Sequence, residues 1–506
     1  MATLAPPGAD KSHPSAAAPK KTSLALGNLP PKQQGFGTQQ ATMGVRLPTI
    51  LGKAIDDVVK TLNDEYDEER IIDLTECISR MEDLMDDLQN NAQLRPIIDD
   101  GEGDIPLWNR MLAKYFRGKD FMNAPWLFAE AYKYRRLHEC FSLSKYWKTY
   151  DVFFRQSSSS FSHPPSKPSQ QLTAYPDASL PSPRASASSS TECETFSRSG
   201  DAVFELSLRF AEPWKQAEGY SEEQQLEAKR LMFHELTQIC LWGNSTDLSL
   251  LINMTEEDIK KLQSTGGDHL AATEQNILGN DLGRVWEYIS SSRFCSAGKG
   301  GRLDFVLDNA GFELYCDLVY ADWLLQSGLC SKIVFHGKRF AWFVSDVTRQ
   351  DFEWLPNSMV YGHLFPNASD EELASLKQMG LRWKQYVKEG KLSYQQHAFW
   401  ISGFTFWSLK DEAPDLFLEL SNSDLVIFKG DAPSSTPFNM AIGPLATEAG
   451  APPVLSLRTV KSDVVVGVPQ EMADRLDKEE PGWRISGKYA VVLFSEGHKG
   501  EPISFA

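Results

Sequence analysis

The chain is short of the features that would place it in a membrane, in an oxidising compartment or on nucleic acid. Seven of its 506 residues are cysteine and no two form a C-x-x-C pair, so neither a disulfide framework nor a zinc ribbon is predicted. No apolar run approaches the roughly 20 residues that span a bilayer, and no secretory signal is recognisable. Basic residues number 51 against 68 acidic ones, and the formal charge of -17 argues against a polyanionic partner. We therefore expect a cytoplasmic protein, with the nucleus as the alternative, that binds neither nucleic acid nor membrane.

Two segments are too poor in apolar residues to fold. Residues 1–43 are rich in Pro, Ala, Gly and Gln, and Ser and Pro dominate residues 156–200. Because such segments bury too little apolar surface to offset chain entropy, both are predicted to be disordered. The second lies between helical patterns and is interpreted as a surface-loop insertion that turnover does not require, since the cost of closing a loop grows slowly with its length.

The remaining residues carry two different periodicities. Across 44–155 apolar residues repeat with helical spacing, which predicts a mostly helical N-terminal domain. Residues 201–300 are predicted to continue these helices, with one helix beginning at Ser221 and ending at Gly243, and to close in a linker. Over 301–506 short apolar runs alternate with amphipathic stretches, which is typical of an α/β fold. We predict a Rossmann-like three-layer α/β/α domain there, and we expect it to be catalytic.

Seven apolar runs in this domain are predicted to be strands: Leu303–Leu307, Ile333–Phe335, Ala341–Val344, Leu425–Phe428, Val454–Leu457, Val464–Val466 and Tyr489–Phe494. The first is followed by a turn and by a helix with Leu314, Leu318 and Ala321 on one face. Open α/β sheets bind ligands beyond the carboxyl ends of their strands. The polar residues that follow these runs are therefore the candidate site.

Carboxylates follow three of these runs. Asp308 and Asn309 follow the first, Asp346 follows the third, and Asp431 ends the block IFKGD. Two carboxylates and an amide carbonyl suit a hard cation such as Mg²⁺ or Mn²⁺ and leave coordination positions for water and a phosphate. Taken singly, each of these residues also suits a turn or a helix cap. His336, at the end of another run, is interpreted as a hydrogen-bonded structural residue rather than as a ligand.

Positive charges near the same strand ends indicate a phosphate site. Arg458 and Lys461 follow the fifth predicted strand, and Lys429 precedes Gly430 and Asp431. Fixed cations and backbone N–H groups stabilise a transferring phosphoryl group. Each of these side chains would equally fit a solvated surface, so residue type alone does not separate the two readings.

Several spaced blocks resemble the damage-control phosphatases, in particular a eukaryotic subfamily with an Arg-Thr-x-Lys motif to which a carboxyl methyltransferase activity has also been ascribed. The blocks are ICLWGNSTDLSLL, VLDNAGFELYCDLVYADWLL, FHGKRFAWFVSDVTRQDF, LVIFKGD and LRTVKSDVVVG, and the resemblance covers most of Val45–Phe494 outside the Ser/Pro-rich segment. It implies metal-dependent hydrolysis of sugar phosphates such as fructose 1-phosphate and fructose 6-phosphate. It also implies Mn²⁺ or Ni²⁺ as the metal, with Co²⁺ or Mg²⁺ as alternatives.

The resemblance assigns roles to individual residues. The family's metal ligands fall on Asp308, Asn309 and Asp346, and Asp308, Asp346 and Lys461 are implied as catalytic. The implied substrate contacts are Asp308, Asn309, Asp431, Lys461 and, by adjacency to the motif, Arg458. One departure is the loop after Asp431, which lacks the Asn and Arg that the family usually has there.

Two other functions stay open. A carboxyl methyltransferase that uses S-adenosylmethionine has little support, because the Gly-rich turn that usually cradles a nucleotide-type cofactor does not follow the first predicted strand. The altered loop after Asp431 favours, as the second alternative, a catalytically weak binding protein. Phosphate release from a sugar phosphate with and without Mn²⁺ separates the three.

Overall fold

The computed structural model describes residues 42–153, 200–211, 221–243, 274–291, 300–362, 368–404, 406–430, 448–461 and 467–499, together with Phe294, Leu364, Phe365, Val465 and Glu501. The predicted disordered tail and the predicted Ser/Pro-rich insertion lie almost entirely outside the described residues. Asp431 and the altered loop that follows it lie outside them as well.

A seven-stranded sheet forms the centre of the fold. Its strands are β1 (Ile277–Asn280), β2 (Gly301–Val306), β3 (Cys330–Gly337), β4 (Leu392–Gln396), β5 (Leu425–Lys429), β6 (Val454–Thr459) and β7 (Ala490–Ser495). They lie in the order β1-β7-β6-β5-β2-β3-β4. The five strands from β6 to β4 are parallel, whereas β7 runs antiparallel to β6 and pairs in parallel with β1. The carboxyl ends of β6, β5, β2 and β3 therefore meet at one edge, where sheets of this kind bind ligands.

Helices cover both faces of the sheet. They are α1 (Leu47–Asn63), α2 (Glu68–Gln89), α3 (Ile105–Tyr115), α4 (Trp126–Ser142), α5 (Gly200–Phe210), α6 (Glu222–Trp242), α7 (Leu282–Ile289), α8 (Phe312–Gln326), α9 (Arg349–Tyr361), α10 (Asp370–Lys388), α11 (Leu409–Glu412), α12 (Pro414–Ser421) and α13 (Gln470–Glu479). Leu303 and Phe305 of β2 pack in one apolar cluster with α5 to α10. Val306 of β2 and Val426 of β5 face the other way, into a cluster with α1 to α4.

The predicted three-layer α/β/α architecture with a helical N-terminal part is confirmed. The N-terminal helices share their apolar cluster with one face of the sheet, so their packing is continuous with it. The domain boundaries at 44–155, 201–300 and 301–506 stay predictions, because shared packing does not test whether a part folds alone.

Local capping signals appear where the sequence predicts them. Ser221 caps α6 through a capping box with Gln224, and Gly243 is the residue at its carboxyl end. Helix α8 forms as predicted but is buried on nearly every side rather than on one apolar face, because it lies between the sheet and α5 and α6.

One predicted strand is wrong. Ala341–Val344 forms a turn in which Phe343 and Val344 have φ angles of 46° and 77°. Its apolar side chains pack against the N-terminal helices instead of against neighbouring strands, with the rings of Trp342 and Phe343 lying 5.9 and 4.5 Å from the ring of Tyr134. Of the predicted strand Val464–Val466 only Val465 is described, and it is not in a strand.

The described part of the chain also bears on two predicted absences. None of its helices is both long enough and apolar enough to cross a membrane. The five cysteines that it contains are free thiols, as their wide spacing in the sequence predicts.

Candidate metal and phosphate site

Two loops that leave the carboxyl ends of β2 and β3 pair with each other. The N–H of the residue after Asn309 donates to the carbonyl before Asp346 (2.8 Å), and the N–H of the residue after Asp346 donates to the carbonyl of Asp308 (2.9 Å). Asn309 and Asp346 are thereby paired as an isolated antiparallel bridge. Residues paired in this way have Cα atoms about 4.5 Å apart and side chains on the same side. The structure therefore brings Asn309 and Asp346 together at the carboxyl edge of the sheet.

The loop that carries Asp346 has a strained backbone. Val344 is β-branched and has a positive φ angle of 77°, a conformation that costs about 1–3 kcal/mol. The loop is anchored by Trp342, which is 1% exposed and whose carbonyl accepts a hydrogen bond from the N–H of Asp346 (3.1 Å). Strain of this kind persists where the surrounding packing enforces it, and it is concentrated at functional sites.

Hydrogen bonds fix which end of the Asn309 amide faces Asp346. Its Nδ2 donates to Asp308 Oδ2 (2.8 Å) and to Glu313 Oε2 (3.0 Å), and its Oδ1 accepts from Ser345 Oγ (2.6 Å). The amide oxygen is therefore on the side of the loop that contains Asp346. An oxygen in that position has the chemistry that a hard cation requires.

Lys338 is a buried cation at this site that the sequence did not reveal. Its side chain is 3% exposed, and its Nζ lies 3.3 Å from Asp346 Oδ2. The hydroxyl of Tyr394 and the amide of Gln396 each donate to the Lys338 carbonyl, both at 3.1 Å. Burial raises the pKa of Asp346 to about 7; Lys338 opposes this rise and the charge of Glu313 adds to it.

Lys429 does not face the predicted phosphate site, which corrects its interpretation as a phosphate-binding cation. Its Nζ lies 2.9 Å from Glu313 Oε1 and 3.0 Å from Asp317 Oδ1, and it donates to the Cys240 carbonyl. Although burial alone would lower the pKa of Lys429, Asp317 and Glu313 hold it well above its usual value. Lys429 thus positions Glu313, which in turn holds Asn309.

Buried groups of both signs surround these loops. The acids are Asp308, Asp346, Glu313 and Asp317, and the bases are Lys338, Lys429 and Arg458. Because burial raises the pKa of Asp346, a bound cation would favour its ionised form. Among the described residues no group of three or more His, Cys, Asp or Glu side chains is arranged as a metal site. The set that fits a hard cation is two carboxylates, Asp308 and Asp346, with the Asn309 amide oxygen.

Two basic residues of the predicted phosphate site lie at the same edge of the sheet. Arg458, which is buried, is near the end of β6, and Lys461, which is partly exposed, follows it. β6 lies two strands from β2, which is about 10 Å at a strand spacing of roughly 4.8 Å. The Lys461 side chain lies against Gly487, in the segment before β7, so its contact with a phosphate at Asp308 stays a prediction.

His336 has the structural role predicted for it. Its Nε2 lies 2.8 Å from Asp304 Oδ1, and both side chains are fully buried. Arg302 donates to the same carboxylate at 2.7 and 2.9 Å. Although burial opposes it, these contacts lower the pKa of the Asp304 carboxyl, which therefore stays ionised in the core beneath the site.

Comparison with known proteins identifies the family. The sequence profile of the damage-control phosphatase ARMT1-like domain matches residues 42–476. The chain belongs to this family. It is similar to proteins named damage-control phosphatase ARMT1: the one from Danio rerio is 32% identical over 505 residues, covering 94% of this chain and 99% of that protein. The one from Xenopus tropicalis is 33% identical over 476 residues, covering 90% and 95%, and the one from Homo sapiens is 28% identical over 476 residues, covering 90% and 95%.

Membership of the damage-control phosphatase family confirms the resemblance that the sequence blocks indicated. The block VLDNAGFE contains Glu313, and FHGKRF contains Lys338. Both residues therefore lay inside blocks that carried the resemblance. What the sequence did not indicate is that they contact Asn309 and Asp346.

The buried ion pairs of Lys429 give a prediction on stability. We expect Lys429→Met to lower the free energy of unfolding by about 3–5 kcal/mol, because it leaves the carboxylates of Glu313 and Asp317 uncompensated in the interior. Urea denaturation measures the change. Lys488→Met is the matched control, since Lys488 forms its ion pair with Glu480 on the surface and its loss should leave the midpoint nearly unchanged. Equal midpoints for the two variants would contradict the buried pairing.

Proposed function

We propose that this chain is a metal-dependent phosphatase that hydrolyses sugar phosphates such as fructose 1-phosphate and fructose 6-phosphate in metabolite damage control. The observation that carries the proposal is the pairing of the β2 and β3 loops, which brings Asn309 and Asp346 together beside Asp308. The names of the relatives, all damage-control phosphatases, support the same activity.

Asp308, Asn309 and Asp346 would hold the metal, which we propose to be Mn²⁺ or Ni²⁺, with Co²⁺ or Mg²⁺ as alternatives. Their oxygen donors support this assignment. When bound, a divalent ion supplies a Lewis acid for a phosphoryl oxygen and lowers the pKa of a bound water. The nearby positive charge of Lys338 would favour the ionised form of Asp346, against the effect of burial.

Lys461 is proposed to neutralise charge on the transferring phosphoryl group, with a smaller contribution from Arg458. The transition state of phosphoryl transfer spreads charge over its equatorial oxygens, so a fixed ammonium at the strand edge stabilises it more than it stabilises the bound ester. Asp308 and Asn309 also belong to the proposed substrate contacts. Asp431 completes the proposed contacts and lies outside the described residues.

Phosphate release from fructose 1-phosphate and fructose 6-phosphate, measured across titrations of Mn²⁺, Ni²⁺, Co²⁺ and Mg²⁺, tests the proposal. We expect release that depends on the metal and is lost on chelation. If the purified chain released no phosphate with any of these ions, the altered loop after Asp431 would become the explanation for the missing activity. The chain would then be interpreted as a catalytically weak binding protein rather than as a phosphatase. Methyl transfer from S-adenosylmethionine to a protein carboxylate, without phosphate release, would support the methyltransferase.

The contact between Glu313 and Asn309 predicts a change in metal affinity. We expect Glu313→Gln to weaken Mn²⁺ binding about 10–100-fold, because the residue that orients a ligand contributes on this scale. Isothermal titration calorimetry with Mn²⁺ alone measures it without reference to turnover. Glu353→Gln, at an exposed position on α9, is the control and should leave the affinity unchanged. An unchanged affinity in a folded Glu313→Gln protein would contradict the orienting role.

A further inference from the structure

A cavity of about 330 Å³ lies against Asp346 on the side away from Lys461. Its walls come from the loop after β3, from Gln396 at the end of β4, and from α4 with the residues that follow it. β3 and β4 are on one side of β2, whereas β5 and β6, which lead to Lys461, are on the other. The candidate metal ligands therefore lie between this cavity and the basic residues proposed to hold the phosphate.

The cavity has an apolar floor and a polar side wall. The floor is lined by Tyr134, Leu137, Phe141, Val152 and Phe153. On the side wall His138 Nε2 lies 3.1 Å from Glu102 Oε1, and Arg339 Nη2 lies 3.7 Å from Glu102 Oε2. The His138 ring stacks on Phe340 with centroids 3.5 Å apart and planes 3° from parallel, so it is held in one orientation.

The charges on this wall compensate one another. His138 and Arg339 both neighbour Glu102, and these contacts lower the pKa of the Glu102 carboxyl, so it stays ionised. Asp351, which also lines the cavity, accepts hydrogen bonds from Thr348 in the capping box of α9. The basic residues of the whole lining are Lys148, Arg339 and Arg349, and its acidic residues are Glu102, Asp151, Asp346, Asp351 and Glu353. Side chains of both signs offer hydrogen-bond donors and acceptors, and the excess of acidic ones suits a neutral group with several hydroxyls better than a second anion.

The position and size of the cavity restrict what it holds. Ligand cavities range over about 300–1,000 Å³, and this one, at about 330 Å³, is at the small end. A single sugar unit fits such a space. A phosphate monoester held at the candidate metal ligands would have its ester group within reach of this cavity, because Asp346 both borders the cavity and belongs to the candidate ligand set.

We propose that this cavity binds the hydroxyl-rich, non-phosphate part of the substrate, and that His138 and Arg339 determine which sugar phosphates are accepted. The inference rests on the proposed phosphatase function. It adds to that function a second subsite, formed jointly by the N-terminal helices and the β3 loop, on which specificity depends.

Two substitutions that fill the cavity from opposite walls test the inference. Ala341→Trp fills it from the β3 loop, and Thr149→Trp fills it from the segment after α4, which does not carry Asp346. For fructose 1-phosphate we expect each to raise KM about tenfold or more, since loss of fit in a pocket changes discrimination by about 10–200-fold. Inorganic phosphate occupies only the phosphate site and gains nothing from the fit of the cavity. Its inhibition constant should therefore stay within about twofold of the wild-type value. Ala374→Trp on the exposed face of α10 is the control for a new tryptophan.

A polar variant tests the specificity role separately. Arg339→Met should lower kcat/KM for fructose 1-phosphate more than for glycerol 1-phosphate, whose shorter chain reaches less of the cavity wall. If both tryptophan variants of an active enzyme had an unchanged KM for fructose 1-phosphate, the inference would be overturned and the proposed function would stand. A parallel rise in KM and in the inhibition constant of phosphate in the Thr149→Trp variant would have the same result. Absence of phosphate release by the wild-type chain would overturn the proposed function and the inference with it.

Discussion

Asp308→Ala is expected to abolish metal-dependent phosphate release. Asp308 is 2% exposed, its carboxylate accepts a hydrogen bond from Asn309, and its carbonyl accepts one from the loop that carries Asp346. The substitution removes a proposed ligand and leaves the backbone pairing in place. Because the metal is proposed to supply both charge stabilisation and the nucleophile, no alternative route of comparable rate is expected. Steady-state kinetics on fructose 1-phosphate across a Mn²⁺ titration measures the loss.

A second readout separates loss of metal binding from loss of folding. A ligand that binds only the folded state stabilises it by about 2.7 kcal/mol at 100 times its Kd. We therefore expect Mn²⁺ to raise the Tm of the wild-type chain and to leave that of a folded Asp308→Ala variant unchanged. Asp370→Ala, at an exposed position in the first turn of α10, is the control and should retain both the activity and the shift. Near-wild-type, metal-stimulated release by Asp308→Ala would show that the site is assigned to the wrong residues.

Lys461→Ala is expected to lower kcat by about 10²–10³-fold, the scale for losing one charge-stabilising group at a transferring oxygen. Lys461 follows β6, and its side chain lies against Gly487 in the segment before β7. Since the ammonium acts mainly in the transition state, kcat and kcat/KM should fall together. Kinetics at saturating metal ion measures both.

Lys488→Ala is the matched control for this prediction, because Lys488 neighbours Gly487 in the same segment but forms its ion pair with Glu480. It should leave kcat unchanged. We expect Arg458→Ala to lower kcat less than Lys461→Ala does. Because Arg458 is buried, the free energy of unfolding of the Arg458→Ala variant must be measured together with its kinetics. A loss of less than about tenfold for Lys461→Ala would contradict its proposed role.

The strands that the sequence predicted correctly, β2, β3, β5, β6 and β7, are the interior ones. Most residues of β2, β3, β5 and β6 are buried, because helices cover both sides of the sheet. The two missed strands, β1 and β4, are at the two edges of the sheet. β4 has only Leu392 and Tyr394 as buried residues, on one face, so its apolar signal is half that of an interior strand.

The candidate ligands were predictable to different degrees. Asp308 and Asn309 directly follow a strand, and a turn and a helix come after them. This succession is a local pattern, so it can be recognised from residues close together in the chain. Asp346 follows the apolar run Ala341–Val344, which the sequence predicts as a strand and which forms a turn. The run is apolar because Trp342 and Phe343 pack on α4, so the position of Asp346 depends on the N-terminal helices. That dependence cannot be read from residue types near Asp346.

Composition, periodicity and motif blocks were sufficient to derive the α/β class, the helical N-terminal part, the family and the candidate ligands, because each of these depends on residues close together in the chain. The partners of the buried charges depend on contacts between distant segments. Lys429 ends β5 and Lys338 follows β3, so the two look alike in sequence. In the fold, however, Lys429 pairs with Glu313 and Asp317, whereas Lys338 pairs with Asp346. The cavity beside Asp346 likewise exists only because α4 and the β3 loop pack together, and folding alone decides which charges end up desolvated and beside which partners.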